Sequence, residues 1–561
     1  MSEKGTTVSR SLIAFDTDHI KGYVFGTNRL KEIRGASSIL DRLNREKTVE
    51  IAKVFGAIPI YAHGGSALFI VDSDQAEALG KAVQKLYHEE TRGGAWITYA
   101  IQEVPDYSAQ DIMTAKKLNR NITMADVLNL LRLRLRLAKD SLQMKMPLED
   151  GAQRDDQLAH VALPSHALLC TCESCGVAYA EDLWRDSDDP DDEGRYCRVC
   201  IGKREEDREV KKRLRNARKT SLLAKTLWGH ILESLGESYL PPTLPVPERP
   251  KDFNVFREFT HGKEYLGLIY ADANSMGKAF DNLETLQEVK DLAERVDNAV
   301  FEAMGHAIRT HVPVQGNTFP FDILLVGGDD IVIVTPADKA IQVAYALAEH
   351  FHQSTKKYTL SIGVLLAPVK YPFSLQLELV EEARDAAKKS GAKRARNTSS
   401  NDWQEQSRVN FVVVTGNTSL NYEKQYEEMH RKSTANNKNE FYATLRPYTL
   451  SDLSWLLDQL KQGNEKRLGR TKLHQLREAI LKLNQTTTIL ESLALLRNWK
   501  KDERDFVKQM AQTFDTRMTS RQQKIGTIFP WSLDGKESSE DLTIYRTPLL
   551  DFIELYDFVS S

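Results

Sequence analysis

The sequence predicts an α+β chain assembled from a duplicated unit, and three observations carry that expectation. Four successive landmarks recur in two places, all five cysteines fall between positions 170 and 200, and apolar residues beyond about 447 return with a helical period. The four expected parts are residues 1–145, the first copy; 146–250, a metal-binding module with linker helices; 251–416, the second copy; and 417–561, a linker and an all-α C-terminal domain.

Each landmark is a pair. Leu12-Ile13-Ala14-Phe15, ending in Asp16-Thr17-Asp18, answers to Leu266-Gly267-Leu268-Ile269-Tyr270, ending in Ala271-Asp272-Ala273-Asn274. Ile58 to Val71 and Ile323 to Val334 each read as strand, Gly-Gly turn, strand, a hairpin by length and turn chemistry. A further strand follows in each copy, Trp96–Ile101 and Tyr358–Val364. A helix then closes each copy, running to Ala138-Lys139-Asp140 and to Ala387-Lys388-Lys389. Strands alternating with amphipathic helices around a central hairpin predict a sheet covered on one face.

Between the copies lie the cysteines, a charged stretch from Lys203 to Lys219, an apolar helix near Leu222–Leu235 and the proline-rich boundary LPPTLPVPERP. The polar runs NTSLNYEKQ and HRKSTANNKNE predict an exposed linker after Val414, and Leu453–Leu460 and Leu473–Leu483 predict helices beyond it. A net charge of -3 announces no global nucleic-acid field. No run of about 18 apolar residues is present, and the N-terminus has no h-region, so a cytoplasmic protein without a membrane span is expected.

The sharpest chemical signal is Gly327-Gly328-Asp329-Asp330, set between ILLV and IVIV, with Asp272 at the end of the preceding repeat strand. Phosphoryl and nucleotidyl transfer need hard cations held by carboxylates, and a strand end beside a hairpin turn is one way to converge three of them. Glycines allow the tight turn and the close approach of phosphates. Solvated aspartates in an ordinary turn are the plainer alternative; Asp272 beside them argues for chemistry. The first copy keeps Asp16 and Asp18, but its turn reads His63-Gly64-Gly65-Ser66 and has no carboxylate to share a cation.

Cys172-x2-Cys175 and Cys197-x2-Cys200 form two close pairs 21 residues apart, the spacing of a four-thiolate structural zinc site. Cys170 is expected outside it, and the acidic loop Asp186 to Glu193 between the pairs is expected to be mobile. Arg132, Arg134, Arg136 and the basic residues from Lys203 to Lys219 read first as solvated helix faces and second as RNA-phosphate contacts.

Asp272-Ala-Asn-Ser-Met-Gly277, the Gly-Gly-Asp-Asp hairpin, Leu-Ser-Ile-Gly-Val and Ala387-Lys388-Lys389-Ser390-Gly391 resemble the nucleotidyl cyclase palm shared with diguanylate cyclases. The two-palm layout, the cysteine pairs, Arg34-Gly35-Ala36-Ser37 and the closing helical part resemble the large polymerase-cyclase subunit of type III CRISPR effector complexes, of the Cmr type. The resemblance implies tandem ferredoxin-like palms and an inserted zinc ribbon. It implies RNA-activated synthesis of cyclic oligoadenylates from ATP, with guide-RNA complex subunits and target RNA as partners. Carried over by position, Asp272, Asp329 and Asp330 hold two Mg or Mn ions. Gly327, Gly328, Asn274, Ser275 and Lys388 bind the nucleotide, and Gly64 and Gly65 face a second one. The family's HD nuclease domain is not expected here, since the palm begins near Met1 and no His-Asp dipeptide occurs among the 13 histidines. The alternatives are a scaffold with a vestigial site and a diguanylate-cyclase-like enzyme.

Overall fold

The computed structural model describes residues 9–104, 109–118, 122–144, 170–186, 192–216, 226–241, 245–260, 264–397, 406–415, 421–431, 439–519, 529–537 and 542–559. Residues 187–191 of the acidic loop, residues 222–225 of the expected apolar helix, Arg218 and Lys219, and parts of both polar runs after Val414 lie outside these ranges.

Strands β1 (Arg10–Asp18), β2 (Ile58–His63), β3 (Ser66–Asp72) and β4 (Trp96–Val104) form an antiparallel sheet in the order β2-β3-β1-β4. Helix α1 (Leu30–Arg42) precedes β2, α2 (Ser73–Glu90) follows the hairpin and α3 (Met124–Met144) follows β4. The chain next forms the hairpin β5 (Asp182–Arg185) and β6 (Glu193–Tyr196), then α4 (Arg198–Asn216) and α5 (Leu227–Tyr239).

The repeat then returns. Strands β7 (Tyr265–Ala273), β8 (Asp322–Gly327), β9 (Asp330–Pro336) and β10 (Leu360–Pro368) adopt the corresponding order β10-β7-β9-β8. A short helix α6 (Met276–Asp281) and α7 (Leu286–His311) join β7 to β8; α8 (Ala340–Thr355) follows the hairpin, and α9 (Phe373–Asn397) follows β10. Helix α7 starts where it does because Thr285 caps it: its hydroxyl accepts from the Glu288 amide, and the Glu288 carboxylate accepts from the Thr285 amide.

Two expectations are corrected. The second sheet is covered on both faces, not one. Ile269, Ala271, Ile323, Ile331 and Ile333 pack into the core with α7 and α8, while Leu268, Tyr270, Leu324, Val332 and Val334 pack into the core shared with the first unit. A strand buried on both sides reads as a continuous apolar run, which is why ILLV and IVIV do not alternate.

The C-terminal part is also not all-α. Helices α10 (Leu450–Glu465), α11 (Arg470–Ile480), α12 (Gln485–Arg497) and α13 (Lys501–Thr519) accompany a second small sheet. There β12 (His430–Arg431), β13 (Asn439–Tyr442), β16 (Leu542–Arg546) and β15 (Ser532–Glu537) align in that order, before the last helix, α14 (Leu549–Tyr556). These strands are short, and β13 pairs in parallel with a strand about a hundred residues away, a contact no local period reveals. Strand β11 (Arg408–Val413) adds to β10 in parallel, and β14 (Tyr448–Thr449) pairs with β11. The second sheet therefore grows to six strands and reaches across the expected boundary at 416.

Arg34 joins three parts of the chain. Fully buried on α1, its guanidinium meets Asp207 of α4 at 2.9 Å, Asp322 at the head of β8 at 3.0 Å and the Pro250 carbonyl at 2.6 Å. Arg249 closes the group on Asp322 at 2.7 Å. The neighbouring Gly35 lets α1 and α4 approach this closely, because a Cβ there would stand 1.7 Å from the Lys203 carbonyl oxygen. Gly35→Ala is expected to lower the apparent thermal midpoint by several degrees. Gly277→Ala, whose Cβ meets nothing within 4 Å, should leave it unchanged. Equal midpoints for the two variants would remove Gly35 as a constraint.

Candidate active site

Asp272 lies on the last turn of pleat in β7, paired opposite Ser361 of β10. The β8–β9 hairpin brings Asp329 and Asp330 alongside it through a two-residue turn whose first central position, Gly328, takes φ 69°, a value that favours glycine. Arg384 and Lys388, one turn apart on α9, supply the cations. Arg384 stands 3.7 Å from Asp272 and from Asp330, and the Lys388 ammonium is hydrogen-bonded to Asp272. The Tyr270 ring carries Arg384 at 4.6 Å and Lys21 at 4.9 Å.

Three carboxylates against two close cations leave negative charge to be neutralised. Burial, then the neighbouring Asp330 and Asp272, push the Asp329 carboxyl up to about 6. Burial and Asp272 likewise raise Asp330, whose buried Oδ1 has no hydrogen-bond partner. Such a cluster suits divalent cations held by carboxylates. The three aspartates are nevertheless spread more widely than the four cysteines. Among the described residues, only the cysteines form a group of three or more candidate ligands with donor atoms all within 4.8 Å. Asp272 is turned onto Lys388.

The turns of the two units meet. A Cβ on Gly64 would lie 2.5 Å from the Gly328 Cα and N, so these glycines allow one turn to rest on the other. Beside this contact opens a cleft of about 480 Å³ whose walls include Asp16, Gly64 and Ser66 from the first unit and Gly328 and Asp329 from the second. Gly65 points elsewhere: its Cβ position faces Ile20 within its own unit. Asn274 is occupied structurally, donating to Thr359 at 3.0 Å and accepting from Ser361 at 2.7 Å. Ser275 adopts φ 61° where β7 passes into α6, as His19 does with φ 51° after β1. His63 stands 3.7 Å from Asp297, and burial lowers its pKa, consistent with a structural neutral imidazole.

Residues not singled out from the sequence complete the comparison. Lys139, on α3, bridges Asp16 at 2.6 Å and Asp18 at 3.0 Å. It is the counterpart of Lys388, and the signal was an Ala-Lys pair near the end of each copy. One ammonium is thus shared by the first unit's two aspartates. The basic stretches also divide: Lys203 and Arg204 are buried in ion-pair and carbonyl contacts rather than solvated, while Arg132 and Arg136 line the cleft, Arg132 bonded to Asp281.

Cys172, Cys175, Cys197 and Cys200 converge with all sulfurs inside 4.8 Å, Cys175 and Cys197 being 4.0 Å apart. Tetrahedral zinc with bonds of about 2.3 Å requires sulfurs about 3.8 Å apart, so the residues fit that ion. Cys170 lies outside, accepting from Arg195 at 3.4 Å.

The strand-end carboxylate, Gly-Gly turn and paired cations from the following helix define a palm of the nucleotide cyclase and polymerase class. Residues 265–398 match the family Cas10/Cmr2, second palm domain, so this part of the chain is similar to the Cas10-type subunits of type III CRISPR systems. Among relatives, the chain is 39% identical over 153 residues to the single-strand-specific deoxyribonuclease Cas10/Csm1 (subtype III-A) of Mycobacterium tuberculosis, covering 24% of this chain and 19% of that protein. It is 25% identical over 158 residues to the CRISPR system Cmr subunit Cmr2 of Pyrococcus furiosus, covering 23% and 17%. The matches therefore span less than a fifth of either relative. The crystal structure of a Csm1-Csm4 cassette in complex with cA3 superposes with a TM-score of 0.52 at 14% identity, over 100% of this chain and 71% of the matched one. This shows the shared fold. Among the described residues, no helix is long and apolar enough to cross a membrane.

Two outcomes follow from the site. Because the folded Asp329 carboxyl is raised, its ionisation is disfavoured in the fold, and metal-free stability should fall as pH rises through about 6. A bound cation reverses this, so the thermal shift produced by Mn should be large at neutral pH and shrink below about 6; an equal shift on both sides contradicts the metal role. Purified protein should also contain one zinc equivalent, and Cys200→Ser should lose the metal and lower the unfolding midpoint together. Retention of zinc by that variant would exclude Cys200 as a ligand.

Proposed function

We propose that the second palm joins ATP molecules into cyclic oligoadenylate-type products, with Asp272, Asp329 and Asp330 holding two Mg or Mn ions. The observation that carries this reading is a cleft bordered by the carboxylate turn of the second unit on one side and the carboxylate-free turn of the first on the other. When bound, the cations would supply Lewis-acid stabilisation of the charge that develops during nucleotidyl transfer. Lys388, which holds Asp272 here, is placed to meet the triphosphate as a point charge. Gly327 and Gly328 present backbone without side chains to the phosphates. The first palm positions the nucleotide whose 3′ hydroxyl attacks, a contribution worth several kcal/mol without chemistry of its own.

The chain works in the cytoplasm inside a guide-RNA complex, with target RNA as the activating signal. The pairing of Csm1 with Csm4 in the superposed structure supports assembly with such a subunit. The test is mass spectrometry of products from ATP and, separately, GTP with Mg or Mn, with and without partner subunits and cognate RNA. Cyclic oligoadenylates should form from ATP and vanish in Asp329→Ala/Asp330→Ala at matched folding. GTP-derived cyclic dinucleotides would favour the diguanylate reading, and an unchanged yield in the double variant would end the proposal. Gly64→Ala should lower product formation by roughly tenfold or more, since its Cβ displaces the Gly328 turn, while Mn binding persists.

A further inference from the structure

Lys203 lies on α4 three residues after Cys200, so the two side chains leave the helix on the same side. Both are buried, Lys203 with only 4% of its surface exposed. Its ammonium donates to the Tyr23 carbonyl at 2.5 Å and lies 4.3 Å from the centre of the Tyr23 ring. Tyr23 belongs to the short helix Ile20–Phe25, whose last carbonyls lack partners within the helix, so a donor is useful there. Among the described residues, no carboxylate forms an ion pair with Lys203. The neighbouring acids go to Arg204, which holds Glu32 at 2.7 Å and Asp192 at 2.8 Å.

A buried ammonium needs compensating negative charge, because one carbonyl and one ring replace only part of its lost hydration. The cysteine group can supply that charge. Four thiolates against one Zn2+ leave the centre at about −2. Burial lowers the Lys203 pKa, and the groups that oppose burial are, in order, Cys200, Glu32, Cys197 and Cys175. Three of those four belong to the converging cysteines. The fourth, Glu32, is already held by Arg204 and by the hydroxyl of Ser174, which lies between Cys172 and Cys175. Ser174 also meets Thr27 of the first palm at 2.9 Å, so the ammonium sits in the seam where the cysteine-bearing segment joins that palm.

We propose that Lys203 is the counter-cation of the four-thiolate zinc centre, a positioning residue that acts on the metal through charge. The assignment rests on the cysteines holding zinc. It makes zinc and ammonium mutually stabilising, each strengthening the other by the same factor. Metal occupancy is thereby linked to the seam at Tyr23. Without zinc, neutral thiols would leave the ammonium buried and uncompensated.

The test is a cycle of metal and charge on the full chain. Zinc affinity is measured by competition with a chromogenic chelator in wild type, Lys203→Met, Lys203→Gln and Lys212→Met. The last removes a half-exposed charge from the same helix and should bind zinc as the wild type does. Lys203→Met keeps the apolar stem and should bind zinc roughly tenfold or more weakly, the scale expected for a lost partner beside metal ligands. Lys203→Gln retains a donor for the Tyr23 carbonyl but not the charge, and should be weakened as much. Should Lys203→Met not fold, Lys203→Gln carries the comparison. Thermal midpoints supply the second readout. A residue that only caps the helix end would cost the same stability with zinc bound and with zinc removed. A counter-cation costs it only in the zinc-bound chain. Wild-type zinc affinity in the neutral variants, or in Lys203→Gln alone, overturns the proposal while leaving the zinc centre in place. A wild type that binds no zinc overturns both.

Discussion

The buried Arg34 guanidinium is the interaction around which the other parts are arranged, because it is the point where first palm, cysteine-bearing segment and second palm share one set of charges. A buried arginine is tolerable only if carboxylates compensate its desolvation, and here they come from two different parts of the chain, Asp207 and Asp322. Removing one partner would strand the others without water, a loss of about 3–5 kcal/mol by analogy with other buried pairs. The relative placement of the two palms is therefore specified by polar geometry, with the shared apolar core supplying the bulk of the burial.

That placement has a direct consequence at the site. Asp322 opens β8 and Gly327 closes it, so the charge group at one end and the hairpin turn at the other belong to one rigid strand. Across the interface, Arg45 grips Asp297 of α7 through two bonds of 2.7 Å, a second polar lock close to His63. Between these locks the two glycine turns touch, and the cleft is what remains beside them. Its shape depends on the absence of side chains at Gly64 and Gly328 as much as on the residues that line it.

The two palms show how duplicated geometry diverges through charge. Each has a strand-end aspartate, a glycine turn and a lysine from the closing helix. In the second, turn aspartates add negative charge that Lys388 and Arg384 do not cancel, leaving carboxyl groups hard to ionise and suited to a cation. In the first, Lys139 lies between Asp16 and Asp18 and no turn carboxylate joins them. The two walls of the cleft therefore differ in the carboxylates they carry.

The sequence by itself determined the duplication, the carboxylate turn and the cysteine pairs, because each is written in local patterns: period, turn chemistry and close spacing. Lys139 was not singled out, although an Ala-Lys pair near the end of each copy marks it as the counterpart of Lys388. Tertiary structure alone decided what depends on contacts across the chain. Asp322 reads as an ordinary charged residue before an apolar run until Arg34 and Arg249 meet it. Nothing in the sequence shows that Gly35 lies against Lys203, or that Gly64 rests on Gly328 as well as bordering the cleft. The small C-terminal sheet was hidden for the same reason. Its two local pairs, β12 with β13 and β15 with β16, join through β13 and β16 only after α10 to α13 have intervened, and pairing energy between distant segments leaves no periodic trace in either one.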